Sequence, residues 1–419
     1  MTSNADRSLI AHLLRRTGFG ASGPEIDAAY AAGYASTVDG LLATSTDPGA
    51  TATPAPSLPS SIDTSADADL ITWWLARMTA VRNPWPEKRT YFWHGHFATS
   101  LQKVRYASLM LKQNQTMRAL GGGDFHTLFR AILTDPAMML WLDAEGSTAK
   151  APNENLARES MELFSLGVGH YTETDVRQAA LALTGWRMNR VTGDATFSVK
   201  NHAPGPETIL GKTASFDADS FADLVLSQTA SPEFVVARHW FRLGSAAQLP
   251  TATQQNLLTA YGAGRDLGAL ARALFTDSSF TGPTARYALV KQPVEYVVGV
   301  LRALKISPTS KDTATLRSVL NGLGQLPFYP PNVGGWPSGQ LWLTTAALQA
   351  RIDFARWAAG TGDLSTVADA SAGSRIDAVA YLLGVDGFST RTVSALSDVV
   401  ADPPSLVALA LLSPEYQVN

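Results

Sequence analysis

Residues 151–186 read APNENLARESMELFSLGVGHYTETDVRQAALALTGW. Apolar positions recur at helical spacing on both sides of a Gly-Val-Gly-His-Tyr turn, which predicts a helix–turn–helix with helices over 153–167 and 173–185. Asn153 is a good N-cap for the first helix. Thr172 with Asp175 three residues on forms a capping-box arrangement for the second.

The same periodicity extends outward in both directions. Helices are predicted at 67–82, 86–100, 103–119 and 124–134 upstream. Downstream they resume at 218–227, 231–244, 251–262, 265–275, 290–304, 311–321, 341–357, 374–384, 390–400 and 404–413. Three stretches break the pattern. Residues 43–66 are rich in Pro, Ser and Ala and read as a surface loop. Residues 186–216 hold Thr192-Gly193-Asp194 between β-prone runs and read as a small β-hairpin insertion. Residues 326–340, LPFYPPNVGGWPSGQ, read as a Pro/Gly/aromatic loop. The fold class expected is mainly α, with residues 1–419 forming one large multi-helix domain.

Composition narrows the function. Hydrophobic residues make up 45% and charged residues 16%, as for a chain with a large buried core. The net charge of −3 gives no electrostatic reason to bind nucleic acid. The absence of cysteine excludes disulfides, thiolate metal sites and cysteine nucleophiles. No apolar run is long enough to span a membrane. The N-terminal residues lack a secretory h-region, so the sequence as it stands reads as cytoplasmic; it reads as exported if a signal has been removed. No P-loop, GxSxG or HExxH motif occurs, and no nucleotide is expected.

Ionisable groups concentrate in 151–186. Glu154, Asn155, Arg158, Glu159 and Glu162 share an arc of roughly 140° on the first helix. This face is either a solvated ion-pair ladder through Glu154–Arg158 and Arg158–Glu162, or the wall of a cleft where a carboxylate's pKa is raised for proton transfer. His170 sits in the turn. His94-Gly95-His96 is spaced two apart, about 200° on a helix, so at most one of the pair faces any one site. His202 lies on the insertion, while His12, His126 and His239 read as structural. Tyr329, Trp336 and Trp342 either stack on a sugar or aromatic ligand or plug the core.

Several segments together resemble the bacterial domain-of-unknown-function family 1800. They are HLLRRTGFGAS from His12, RTYFWHGHFATS from Arg89, the stretch from Pro152 to Trp186, KQPVEYVVGVLRAL from Lys291, the run PFYPPNVGGWPSGQLWLTTAALQARIDFA from Pro327, and LALLSPEYQ from Leu409. The chain departs from the family pattern at Ala203, where an aspartate is more usual after the histidine. The resemblance implies no settled activity. It does imply a functional partner resembling family 1501, itself similar to sulfatases and alkaline phosphatases. It also selects His96 from the histidine pair.

The expectation is an enzyme working by metal-assisted or general acid/base chemistry in a cleft beside the 153–167 helix. Glu154, Arg158, Glu159, Glu162 and His170 are the catalytic candidates. His96, Glu159, Glu162 and His202 are the metal candidates, a mixed donor set suited to Zn²⁺, Mn²⁺ or Fe²⁺. A small-molecule or saccharide ligand is the expected partner. The alternative is a non-catalytic helical scaffold in which the Glu/Arg cluster is a structural ion network.

Overall fold

Helices follow one another through most of the chain, and each is closed by local chemistry that the sequence supplies. The structure is a computed structural model that describes residues 4–189 and 192–419. Among these residues there are 24 α-helices and two small antiparallel two-stranded sheets. The capping box at Thr172 forms as read, with the Thr172 N–H donating to Asp175 Oδ2 at 2.8 Å and the Asp175 N–H to Thr172 Oγ1 at 3.2 Å. Asp47, Asp124, Asp135, Asp217, Asp266 and Asp402 cap other helices in the same way. The largest apolar cluster reaches from Leu13 to Tyr416.

Differences from the expected elements have local causes. The insertion holds two hairpins rather than one, Trp186–Asn189 with Asp194–Phe197 and Glu207–Ile209 with Lys212–Ala214. The segment 43–66 carries one helical turn, Pro48–Ala52, because Asp47 accepts from the N–H groups of Gly49 and Ala50. The first site helix spans Asn155–Glu162 rather than 153–167. Glu154 occupies its N-cap position, and Asn153 Oδ1 instead accepts from the Asn155 N–H at 2.9 Å. Its far end unwinds through five-residue turns, with the Phe164 N–H on the Glu159 carbonyl and the Leu166 N–H on that of Met161, before Gly167 adopts φ of 87°.

The 326–342 segment packs inward. The Phe328 N–H donates to His94 Nε2 at 2.9 Å, and its carbonyl accepts from the Leu101 N–H at 2.8 Å. Gly335, at φ of 84°, lies so close to the Trp85–His96 helix that a Cβ there would come within 2.7 Å of the Gly95 carbonyl oxygen. Phe328, Trp336 and Trp342 are all buried.

A second buried feature is ionic. Glu87, on the first turn of the Trp85–His96 helix, is 1% exposed and accepts from Arg77, Arg118 and the Trp74 indole at 2.7–2.9 Å. Burial raises its carboxyl, but the two guanidiniums outweigh that and hold it below the usual carboxylate range. Removing one side of a buried pair strands the other, at roughly 3–5 kcal/mol. Glu87→Gln is therefore expected to lose stability on that scale in urea melts. Glu173→Gln, at an exposed pair, is expected to leave the midpoint nearly unchanged. Equal midpoints for the two variants would refute the account.

Candidate functional site

The ionisable face of the Asn155–Glu162 helix is only partly sheltered. Arg158 forms a two-pronged pair with Glu173 on the neighbouring Glu173–Ala182 helix, at 2.6 and 2.8 Å, and meets Glu154 at 3.3 Å. The expected Arg158–Glu162 pair gives way to this contact, and Glu162 instead accepts from the Tyr171 hydroxyl. Glu159 is half-buried. Burial, then the charge of Glu162, raises its carboxyl above the ordinary value, with Arg158 opposing. His170 is exposed on the turn.

The four metal candidates do not come together. His96 points into the core, 4% exposed, with Nε2 donating to the Phe164 carbonyl at 3.0 Å and aromatic rings around it. Burial, reinforced by Arg238, drives its pKa well below the ordinary value. His202 donates from Nδ1 to the Thr184 carbonyl at 3.1 Å. Among the described residues, no three histidine, aspartate or glutamate side chains converge where a metal ion would fit. The donor set therefore fails to assemble because each histidine is spent on a backbone carbonyl of its own neighbourhood. His94 and His96 point apart, as their spacing requires: His94 serves the 326–342 segment.

A different cleft collects charge that sequence spacing did not reveal. Its centre is Glu295, third residue of the Pro293–Ala303 helix and 4% exposed. Its Oε2 accepts from the Gln292 N–H at 2.9 Å, closing a capping box, and from Asn419 Nδ2 at 3.1 Å. Its Oε1 accepts from the buried Lys88 ammonium. Arg16, Arg242 and Lys291 feel the same carboxylate only from longer range. Among the described residues it is the one carboxylate acting on all four cations.

The consequences of that shortage are visible group by group. Arg16 is 1% exposed; one nitrogen donates to the Ala285 carbonyl, while Nε and Nη1 are buried without a partner. Burial pulls its guanidinium down to about 9, so it stays cationic at neutral pH. Lys291 rests its ammonium 3.6 Å from the centre of the Tyr416 ring. Burial lowers both lysines, Lys291 steeply. Arg242 sits in a π-helical turn, Trp240–Gly244, a distortion that recurs at functional sites.

Two adjoining cavities meet at Arg242 and Gln292. The smaller, about 20 Å³, is walled by Lys88, Tyr91, Gly95 and Trp336 and has room for about one water. The larger, about 320 Å³, runs from Glu295 and Trp342 out to the exposed Tyr287 and Gln340. The aromatics of the 326–342 segment thus plug the core, and two of them also wall the cleft. A usable signal was present: Glu295 is the lone charge in VEYVVGV, and Arg15-Arg16 interrupts an apolar helix. Isolated charges in apolar elements require partners.

Beyond this geometry, the family described as “Protein of unknown function (DUF1800)” matches residues 12–418. The chain belongs to that family. No curated protein and no solved structure matches it. No helix in the described residues of this DUF1800 chain is long and apolar enough to cross a membrane.

The buried histidines set an acid limit on the fold. Burial lowers His94 to about 3 and His239 to about 4, and it also depresses His12 and His96. Each stays neutral in the folded state but takes a proton when unfolded, near pH 6.5. Stability is therefore complete above that value and falls as pH drops through it, by about 2 kcal/mol per histidine at pH 5. Asp135, raised to about 6 by burial, opposes this, as do the raised carboxyls of Asp67 and Glu159, but the four histidines dominate. Urea midpoints are expected to fall steeply from pH 7 to pH 5; a flat profile would contradict the histidine burial.

Proposed function

We propose that this DUF1800 chain acts on a small anionic ligand held in the Glu295 cleft, as an enzyme using general acid/base chemistry. The observation that carries the reading is the imbalance of four buried or half-buried cations against one carboxylate beside a cavity that reaches solvent. The two lysines can relieve their share by losing a proton, but Arg16 and Arg242 cannot, and a counter-anion is the way left to balance those two. A carboxylate, phosphate or sulfate group in the cleft would sit against Arg242 and Gln292. Lys88, whose amine burial makes easier to deprotonate, would pass a proton between the ligand and Glu295. The expected small-molecule or saccharide ligand thereby narrows to one carrying negative charge. A partner resembling family 1501 would enter as the supplier or consumer of that anion.

A second reading concerns the Asn155–Glu162 and Glu173–Ala182 helices. The two-pronged Arg158–Glu173 pair favours a structural ion network there. Glu159, with its raised carboxyl, is the group on that face suited to proton transfer. Glu159→Gln would then cost activity with folding unchanged.

Thermal melts with phosphate, sulfate and acetate, at constant ionic strength against chloride, test the main reading. Saturable stabilisation is expected, about 2.7 kcal/mol at a hundredfold excess over Kd. Arg242→Met is expected to raise the melting temperature of the ligand-free protein, by removing a repelled charge, while abolishing the response. Absence of saturable stabilisation by all three anions would overturn the proposal.

A further inference from the structure

The cleft is not uniformly polar, and its two ends differ in chemistry. Arg242, Gln292 and the buried Glu295 form its charged end, while Tyr287 and Gln340 add uncharged polar groups at the exposed end. The walls leading outward are apolar: Phe241, Leu289, Val290 and the ring of Trp342. At the rim, the short helix Gly339–Trp342 contributes Gly339, Gln340 and Trp342 to the cavity wall, while Leu341 between them projects outward, 68% exposed. Leu343 follows it at 48% exposure. Exposed leucines are ordinary when scattered singly. These two alternate with Gln340 and Trp342, which line the cavity, and so place exposed apolar surface beside its mouth.

The dimensions suit an elongated occupant. A volume of about 320 Å³ falls in the range of small-molecule sites, and the cavity is open at Tyr287 and Gln340 rather than sealed. A compact inorganic anion would satisfy the charged end and leave the apolar walls wet. A sugar acid would place hydroxyls against Phe241, Leu289 and Val290, whose side chains offer them no hydrogen bond.

We infer that the ligand of the cleft is an amphiphilic acid, with its anionic head against Arg242 and Gln292 and an alkyl or aryl body running between Phe241, Leu289 and Trp342 to the Leu341–Leu343 rim. This rests on the reading of the cleft as an anion site and adds the class of molecule it takes. The walls contribute affinity in proportion to the apolar surface they cover, so binding grows with chain length until the chain leaves the rim.

Calorimetric titration of the whole protein with acetate, butyrate, hexanoate and octanoate, below micelle concentrations, tests this beside glucuronate. Affinity is expected to rise about threefold to fourfold per methylene, with glucuronate no better than acetate. Leu341→Asp with Leu343→Asp alters two exposed positions. The pair is expected to flatten the gain between hexanoate and octanoate and to leave acetate binding unchanged. Arg242→Met is expected to abolish octanoate binding. Three outcomes overturn the inference while leaving the anion reading standing: a flat chain-length series with measurable acetate binding, glucuronate binding better than octanoate, or octanoate binding undiminished in Arg242→Met. Failure of acetate, phosphate and sulfate alike to bind removes the anion reading itself.

Discussion

Glu295 is asked to do three structural jobs with two oxygen atoms. It closes the N-terminus of the Pro293–Ala303 helix, receives the Lys88 ammonium from the Trp85–His96 helix, and holds Asn419. The two helices it joins also carry much of the aromatic core, through Trp93, Tyr91 and Tyr296. A carboxylate buried this deeply is tolerated only because every one of its contacts is a donor. The same contacts exhaust it. Arg16, Lys291 and Arg242 stand nearby with no share of its hydrogen bonds, and the fold offers them a carbonyl, a ring face and a cavity instead.

Charge arranged in this way opposes the stability of the empty protein. An apolar residue in place of Arg242 would line the cavity beside Phe241 without electrostatic cost. Proteins retain such costs where a ligand offsets them. The Glu87 network in the Trp85–His96 helix differs in that Arg77 and Arg118 each bond the carboxylate directly, while Arg89 feels the same charge without bonding it. Directly bonded ion pairs such as Arg77–Glu87 build the fold, and the unbonded cations at Glu295 are the ground for the anion proposed there.

Much of the architecture was legible in the sequence, and the Glu295 cleft was not. Helices came through because apolar spacing, Asp and Thr caps and Gly or Pro stops are local signals; Thr172 with Asp175 is an example. Boundaries slipped where backbone geometry departs from the simple helix, as at Leu163 to Gly167. The charge-rich stretch 151–186 drew attention because its groups are adjacent in sequence, yet that crowding mostly describes a half-solvated face with Arg158 and Glu173 paired across it. The cleft residues, by contrast, occur one at a time: Arg16 in LLRRTG, Lys88 in PEKRTY, Arg242 in HWFRLG, Glu295 in VEYVVGV. Each looks unremarkable alone, and only tertiary packing brings them to one place. The histidine-plus-glutamate set does not converge, because His96 and His202 bond separate backbone carbonyls while Glu162 meets the Tyr171 hydroxyl.

The distance along the chain between these pieces bears on how the protein comes to be folded. Lys88 and Glu295 are 207 residues apart, and Glu295 and Asn419 are 124 apart. Val290 and Val418 form a backbone bridge beside them. Contacts of such separation carry a loop-closure cost that exceeds that of nearby pairs by about 0.6 kcal/mol per doubling of length, which favours their forming after local helices. The cleft is accordingly among the last parts to be completed, while the Arg77–Glu87 and Glu87–Arg118 pairs span only 10 and 31 residues and are available early. During that interval the cations around Glu295 repel one another without their carboxylate. An anion of the kind proposed for the cleft would screen these cations as the site closes, and would thereby also assist its assembly.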